Sequence, residues 1–123
     1  MIKAVFFDFD ETLQDRTAAF ERYMDGFFAR FFPGVTGEEL AEKKHQMRQS
    51  GNGGYVDRGE WYKGLIALWR WTDAPAAEAL AEHYDRTFGD CCVIFPDAVP
   101  MLQALRKKGI LTGVITNGPS YLQ

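Results

Sequence analysis

The chain has 123 residues, of which 46% are hydrophobic and 25% charged, the balance of one globular domain or slightly more. Its formal net charge of −3 argues against nucleic acid or a membrane surface as a partner, and no apolar stretch reaches the ~18 residues of a membrane span. The sequence has no signal-peptide pattern. Its only cysteines, Cys91 and Cys92, are adjacent and too constrained for an ordinary disulfide, so the sequence predicts a cytoplasmic protein.

Two buried β-strands are predicted, one near each end of the chain. Residues 2–9 and 110–116 carry apolar side chains at both odd and even positions, the pattern of strands covered on both faces in a parallel sheet. A helix is predicted over 97–108, directly before the second strand, and Gly109 suits its end. A helix followed by a buried strand is half of a βαβ unit, so we expect an α/β core.

The interval between these strands is too long for a simple crossover and indicates four amphipathic helices of its own. An aromatic stripe over 20–32 predicts the first helix. TGEE at 36–39 indicates a capping box for the second, and Asp57 an N-cap for the third, after a Gly-rich loop at 50–54. The fourth helix is predicted over 73–88. The sequence therefore predicts a helical module inserted into the α/β core.

Two aspartates end the first predicted strand. Asp8 and Asp10 project to the same side in extended geometry, at the edge where open α/β sheets bind ligands. Two carboxylates there can hold Mg2+ together with a substrate phosphate, and one can attack phosphorus while the other transfers protons. The alternative is an acidic strand end that only faces solvent. The two-faced apolar strand before the pair favours a site.

The second predicted strand is followed by Thr116, Asn117 and Gly118. Paired in parallel beside the first strand, it would end at the same edge of the sheet. The Thr116 hydroxyl and the next two backbone N–H groups could then bind phosphate oxygens. By itself this tripeptide indicates a turn. Together with the acidic pair it predicts a phosphate site.

These two motifs carry a family resemblance. DFDET at 8–12 resembles the first motif of the haloacid dehalogenase-like superfamily, and VITNG at 114–118 resembles its second. Their order around a helical insert, with FPDA at 95–98 opening the last helix, is similar to that of members with an all-helical cap.

The resemblance implies a division of the chain into two parts. The first is an incomplete α/β core, a partial Rossmann-like parallel sheet formed by residues 1–14 and 96–123. The second is an inserted four-helix cap at 15–95.

The resemblance also implies roles for individual residues. Asp8 is the expected nucleophile and a metal ligand, and Asp10 the expected general acid and base, with its backbone carbonyl on Mg2+. Thr12 supports the first loop of the phosphate site, and Thr116 with Asn117 binds the phosphate. Dehalogenating members lack the second aspartate, so its presence implies Mg2+-dependent hydrolysis of a phosphate monoester, with a small phosphorylated metabolite as substrate.

The sequence departs from the family pattern after the second motif. A later lysine and a later acidic pair, expected as third and fourth motifs, have no counterpart before Gln123. We therefore expect an incomplete form that is weak or inactive alone, and self-association through unpaired sheet edges. A phosphosugar mutase of the same superfamily, or a non-catalytic binding or oligomerising module, are the alternative functions.

Overall fold

The computed structural model describes residues 1–51, 54–118 and 122. In chain order the elements are β1 (Ala4–Phe7), α1 (Arg16–Phe31), α2 (Gly37–Ser50), α3 (Arg58–Leu68), α4 (Ala77–Thr87), a 3-10 helix (Phe88–Cys91), α5 (Ala98–Lys107) and β2 (Leu111–Val114). The described residues thus form a mixed fold with five α-helices and one two-stranded sheet. No helix among them has the length and apolar character to cross a membrane. Asn52 and Gly53, in the loop predicted at 50–54, lie outside the described residues.

The two strands pair in parallel, which confirms the expected strand arrangement. In this register Phe6 stands opposite Gly113, and Phe7 opposite Val114. The Phe6 ring covers the glycine closely, because a Cβ atom at Gly113 would lie 2.7 Å from the ring Cε1. Beyond β2, the N–H of Ile115 donates to the Phe7 carbonyl at 2.9 Å. The carboxyl ends of both strands therefore lie at one edge of the sheet.

The prediction that both strands are covered on both faces is wrong for the part of the chain that the structure describes. Phe6 is 65% exposed, and Leu111, Val114 and Ile115 are 72%, 53% and 68% exposed. Helix α5 lies against β2. An apolar pattern indicates which side chains suit burial, whereas coverage needs a packing layer on each face of the sheet. One neighbouring helix cannot supply two layers.

The chain divides into two compact units. Met1–Tyr23 and Phe88–Gln123 form the first, which holds the sheet, the start of α1, the 3-10 helix and α5. Met24–Thr87 forms the second, with the rest of α1 and helices α2 to α4. The predicted division into a core at 1–14 and 96–123 and a cap at 15–95 stays a prediction.

The helical unit is built on an aromatic core. Phe27 on α1 and Tyr62 on α3 are both fully buried, with ring centroids 5.9 Å apart. Leu80 and Tyr84 complete the buried face from α4. These side chains recur at helical spacing, so burying their stripes against one another stabilises helices that would be marginal alone.

The predicted N-terminal cap is present in α3 and absent in α2. Asp57 caps α3 as predicted, because its Oδ1 accepts a hydrogen bond from the Glu60 N–H at 2.9 Å. Thr36 is the N-cap residue of α2, but its side chain makes no capping hydrogen bond. The predicted capping box is therefore wrong. Gly37 begins that helix with a φ of +61°, so the first turn departs from the geometry that aims an N-cap hydroxyl at the free N–H groups.

Candidate active site

The predicted acidic pair follows β1 directly, at the carboxyl edge of the sheet. Asp8 is exposed and Asp10 is half-buried. The Oδ1 atom of Asp8 accepts a hydrogen bond from the backbone N–H of Phe9 at 2.7 Å. The Oδ1 atom of Asp10 accepts one from the side-chain amide of Gln14, also at 2.7 Å. Each carboxylate is thus oriented by a protein donor.

A tight turn follows the pair and returns the chain toward α1. The Phe9 carbonyl accepts hydrogen bonds from the N–H groups of Thr12, Leu13 and Gln14 at 3.3, 3.0 and 2.9 Å. The Glu11 N–H donates to the Gln14 carbonyl at 2.7 Å. Thr12, which is exposed, therefore belongs to the turn through its own backbone N–H.

Two carboxylates connect this turn to the start of α1. Glu11 has a φ of +59°, a left-handed conformation that favours glycine. Its Oε1 accepts hydrogen bonds from the Thr17 N–H at 2.9 Å and the Thr17 hydroxyl at 3.3 Å. The Oδ1 of Asp15 accepts from the Ala18 N–H at 2.9 Å. Both contacts satisfy donors in the first helical turn, where acidic groups are favourable.

The second predicted motif lies at the same edge. Since Phe7 pairs with Val114, Asp8 comes one residue after the last paired position of β1, and Thr116 two residues after that of β2. Thr116 is half-buried, whereas Asn117 and Gly118 are exposed. Gly118 has a φ of +140°, a region that residues with side chains rarely adopt. Parallel pairing thus brings both predicted motifs to one edge.

The pKa of the Cys92 thiol depends on burial and on two charged side chains, one of them Asp10. Burial raises the pKa of the Cys92 thiol above its ordinary value, and the Asp10 carboxylate raises it further. The guanidinium of Arg22 acts in the opposite direction, and its Nη1 donates to the Cys92 carbonyl at 3.3 Å. A carboxylate and a cation therefore act on the same thiol near the site.

The donor set suits a hard cation. Across 1–51, 54–118 and 122, no three His, Cys, Asp or Glu side chains cluster as a metal site. Asp8 and Asp10 both follow β1 at this edge, whereas the Oε1 of the next acidic residue, Glu11, accepts hydrogen bonds from Thr17. Mg2+ is commonly bound by one or two carboxylates, with water and substrate phosphate supplying the other ligands. A pair of this kind fits that cation.

Sequence reasoning did not identify Gln14. It is 5% exposed and is a buried polar residue within the apolar interior of the described chain. Its spacing from Asp10 is no signal, because residues four apart meet regularly on a helix and residues 10–14 form a turn.

Comparison with known protein families identifies the family of the chain. A family model described as haloacid dehalogenase-like hydrolase matches residues 2–123, essentially the whole chain. The match includes both motifs and the helical interval between them. No curated protein matched the chain.

Proposed function

We propose that this chain, which belongs to the haloacid dehalogenase-like hydrolase family, forms the active site of a Mg2+-dependent phosphate monoester hydrolase. Family membership supports hydrolysis. The observation that carries the more specific proposal is the parallel pairing of β1 and β2, since it directs Asp8 and Thr116 to the same edge of the sheet. A nucleophilic carboxylate and a phosphate cradle need this common edge to act on one phosphate.

Asp8 acts as the nucleophile in this proposal. A carboxylate oxygen attacks the substrate phosphorus, the bond from phosphorus to the leaving oxygen breaks, and an aspartyl-phosphate forms. Exposure leaves Asp8 accessible to a substrate, and the hydrogen bond from the Phe9 N–H restrains its carboxylate. Restraint of this kind reduces the orientational cost of the attack.

Asp10 transfers the protons. In its carboxylic acid form it donates a proton to the departing oxygen, which becomes the alcohol product, and Asp10 is left as a carboxylate. It then accepts a proton from the water that attacks the phosphorus of the aspartyl-phosphate, releasing inorganic phosphate and restoring Asp8. Its half-buried position and its hydrogen bond to Gln14 restrain the Asp10 carboxylate, which supports this role.

In this proposal, residues that follow β1 and β2 together stabilise the negative charge of the phosphate. The Thr116 hydroxyl and the N–H groups of Asn117 and Gly118 bind phosphate oxygens, and Thr12 supports the turn that holds the acidic pair. Mg2+, held by Asp8 and by the Asp10 carbonyl, would neutralise charge on the phosphoryl group. The low cost of a left-handed φ at Gly118 supports this use of the loop.

We assign substrate selection to the helices of the expected four-helix cap at 15–95. The aromatic core of α1, α3 and α4 gives this part of the chain a packed interior of its own, which supports an independent structural role. The proposed substrate is a small phosphorylated metabolite, and the proposed location is the cytoplasm.

The test is release of inorganic phosphate from a panel of phosphate monoesters in the presence of Mg2+. Asp8→Asn should reduce release to background, because an amide cannot form the aspartyl-phosphate. Asp97→Asn is the matched control: Asp97 is an exposed aspartate at the start of α5 whose side chain makes no capping hydrogen bond, and this variant should keep wild-type activity. Release retained by Asp8→Asn would refute the proposal. Transfer of phosphate to a second sugar hydroxyl, instead of water, would identify the mutase.

A further inference from the structure

We infer that Gln14 is a positioning residue for Asp10. The role of Asp10 in proton transfer rests on the proposed function, whereas the contact between the two side chains is observed directly. The Nε2 of Gln14 donates to the Oδ1 of Asp10 at 2.7 Å. The Oδ1 atom can accept this hydrogen bond in both the ionised and the protonated form of Asp10.

Burial makes this contact costly to break. Gln14 is 5% exposed, so its amide has little access to water if the Asp10 carboxylate moves away. A buried donor left without a partner carries its full desolvation penalty. The amide and the carboxylate therefore hold each other in place.

The backbone around Gln14 is fixed from two directions. Gln14 forms isolated bridges with Asp10 and with Ile94. On either side, the Asp15 N–H donates to the Val93 carbonyl at 2.7 Å, and the Phe95 N–H donates to the Leu13 carbonyl at 3.0 Å. Residues 13–15 are thus attached to residues 93–95 along their length. The donor cannot follow a moving Asp10 without loss of these bonds.

A fixed donor constrains the direction of proton transfer. The Gln14 amide has no titratable proton and cannot replace Asp10 as an acid. By holding Oδ1, it sets the plane of the carboxyl group and presents the group to the leaving oxygen in one orientation. Since proton transfer needs hydrogen-bond geometry, loss of this orientation should slow aspartyl-phosphate formation for substrates whose leaving oxygen needs a proton and spare that step for those whose leaving oxygen does not.

The kinetic test compares two leaving groups in Gln14→Met, which keeps side-chain length and removes the donor. For an alkyl phosphate, whose leaving group needs a proton, the single-turnover rate of aspartyl-phosphate formation at saturating substrate should fall about tenfold. For para-nitrophenyl phosphate, whose leaving group needs none, the rate of this first step should change little; kcat is not compared, because the second step uses Asp10 as a base for both substrates. Gln103→Met is the control, because Gln103 is exposed on α5 and its loss should change neither rate. Gln46, whose amide also donates to a carboxylate, Glu42 Oε1 at 2.9 Å, serves as the spectroscopic reference below. Equal losses on both substrates, or no loss on either, would overturn the inference.

A second measurement does not depend on turnover. The Gln14 side-chain amide resonances, assigned by their loss in Gln14→Met, should move in Asp10→Ala, while those of Gln46 stay in place. Unmoved Gln14 resonances would overturn the inference whatever the activity. If the resonances move but the chain hydrolyses no monoester, the contact between Gln14 and Asp10 is supported and the proposed function is refuted.

Discussion

Glu11 combines an unfavourable backbone conformation with favourable side-chain contacts. Its φ of +59° suits glycine, yet its carboxylate accepts two hydrogen bonds from Thr17. Glu11→Ala loses both contacts and keeps the strain, whereas Glu11→Gly loses the contacts and relieves the strain. We expect Glu11→Ala to be less stable than Glu11→Gly by about 1–2 kcal/mol, the usual cost of the left-handed conformation. Denaturant unfolding of the two variants measures the difference; an alanine variant as stable as the glycine variant would contradict this backbone geometry.

Cys92 provides a chemical probe of the charge on Asp10. Because that carboxylate contributes to the raised pKa of the thiol, Asp10→Asn should lower the pKa, increase the thiolate fraction at a fixed alkaline pH and speed alkylation. Rates measured without Mg2+ in a Cys91→Ser background test this. In the matched Cys92→Ser background the substitution should have no effect, since burial, Arg22 and Asp90 act on the pKa of Cys91. Equal acceleration of both thiols would indicate loosened packing instead.

At the scale of elements, α2 and α3 form a natural comparison of helix caps. The Asp57 side chain caps α3, so Asp57→Ala should lower the free energy of unfolding by about 1 kcal/mol. Thr36→Ala should change it little, because Thr36 makes no side-chain capping bond at α2. Urea unfolding of the two variants checks the pair. Equal losses would mean that Thr36 does cap its helix.

Some features of the helices and strands could be predicted from the sequence, and others could not. Helix positions and the parallel pairing of β1 and β2 follow from local periodicity and from turn residues, which the sequence carries directly. Burial of Phe6 depends on which elements pack over the sheet. The missing side-chain cap of Thr36 depends on the positive φ of Gly37. A local sequence pattern predicts neither of these features. The contact between Gln14 and Asp10 was missed for the same reason, since it requires the turn to be built first.

At the scale of the whole molecule, the family assignment and the two strand-end motifs support each other. The family model spans the chain, and the sheet presents both motifs at one edge. The exposed apolar side chains of the sheet, including Leu111 and Ile115, support the expectation of self-association, which stays a prediction. Magnesium, the phosphate substrate and the residue roles likewise stand as proposals.

Trapping the phosphoryl group on the protein tests most directly whether Asp8 is the nucleophile. The chain is mixed with Mg2+ and para-nitrophenyl phosphate, quenched in acid, and the modified peptide is mapped by mass spectrometry. We expect one phosphoryl group on Asp8, absent from Asp8→Asn. Turnover with Asp8 unmodified and a phosphoryl group on another side chain would contradict it, as would modification that persists in Asp8→Asn.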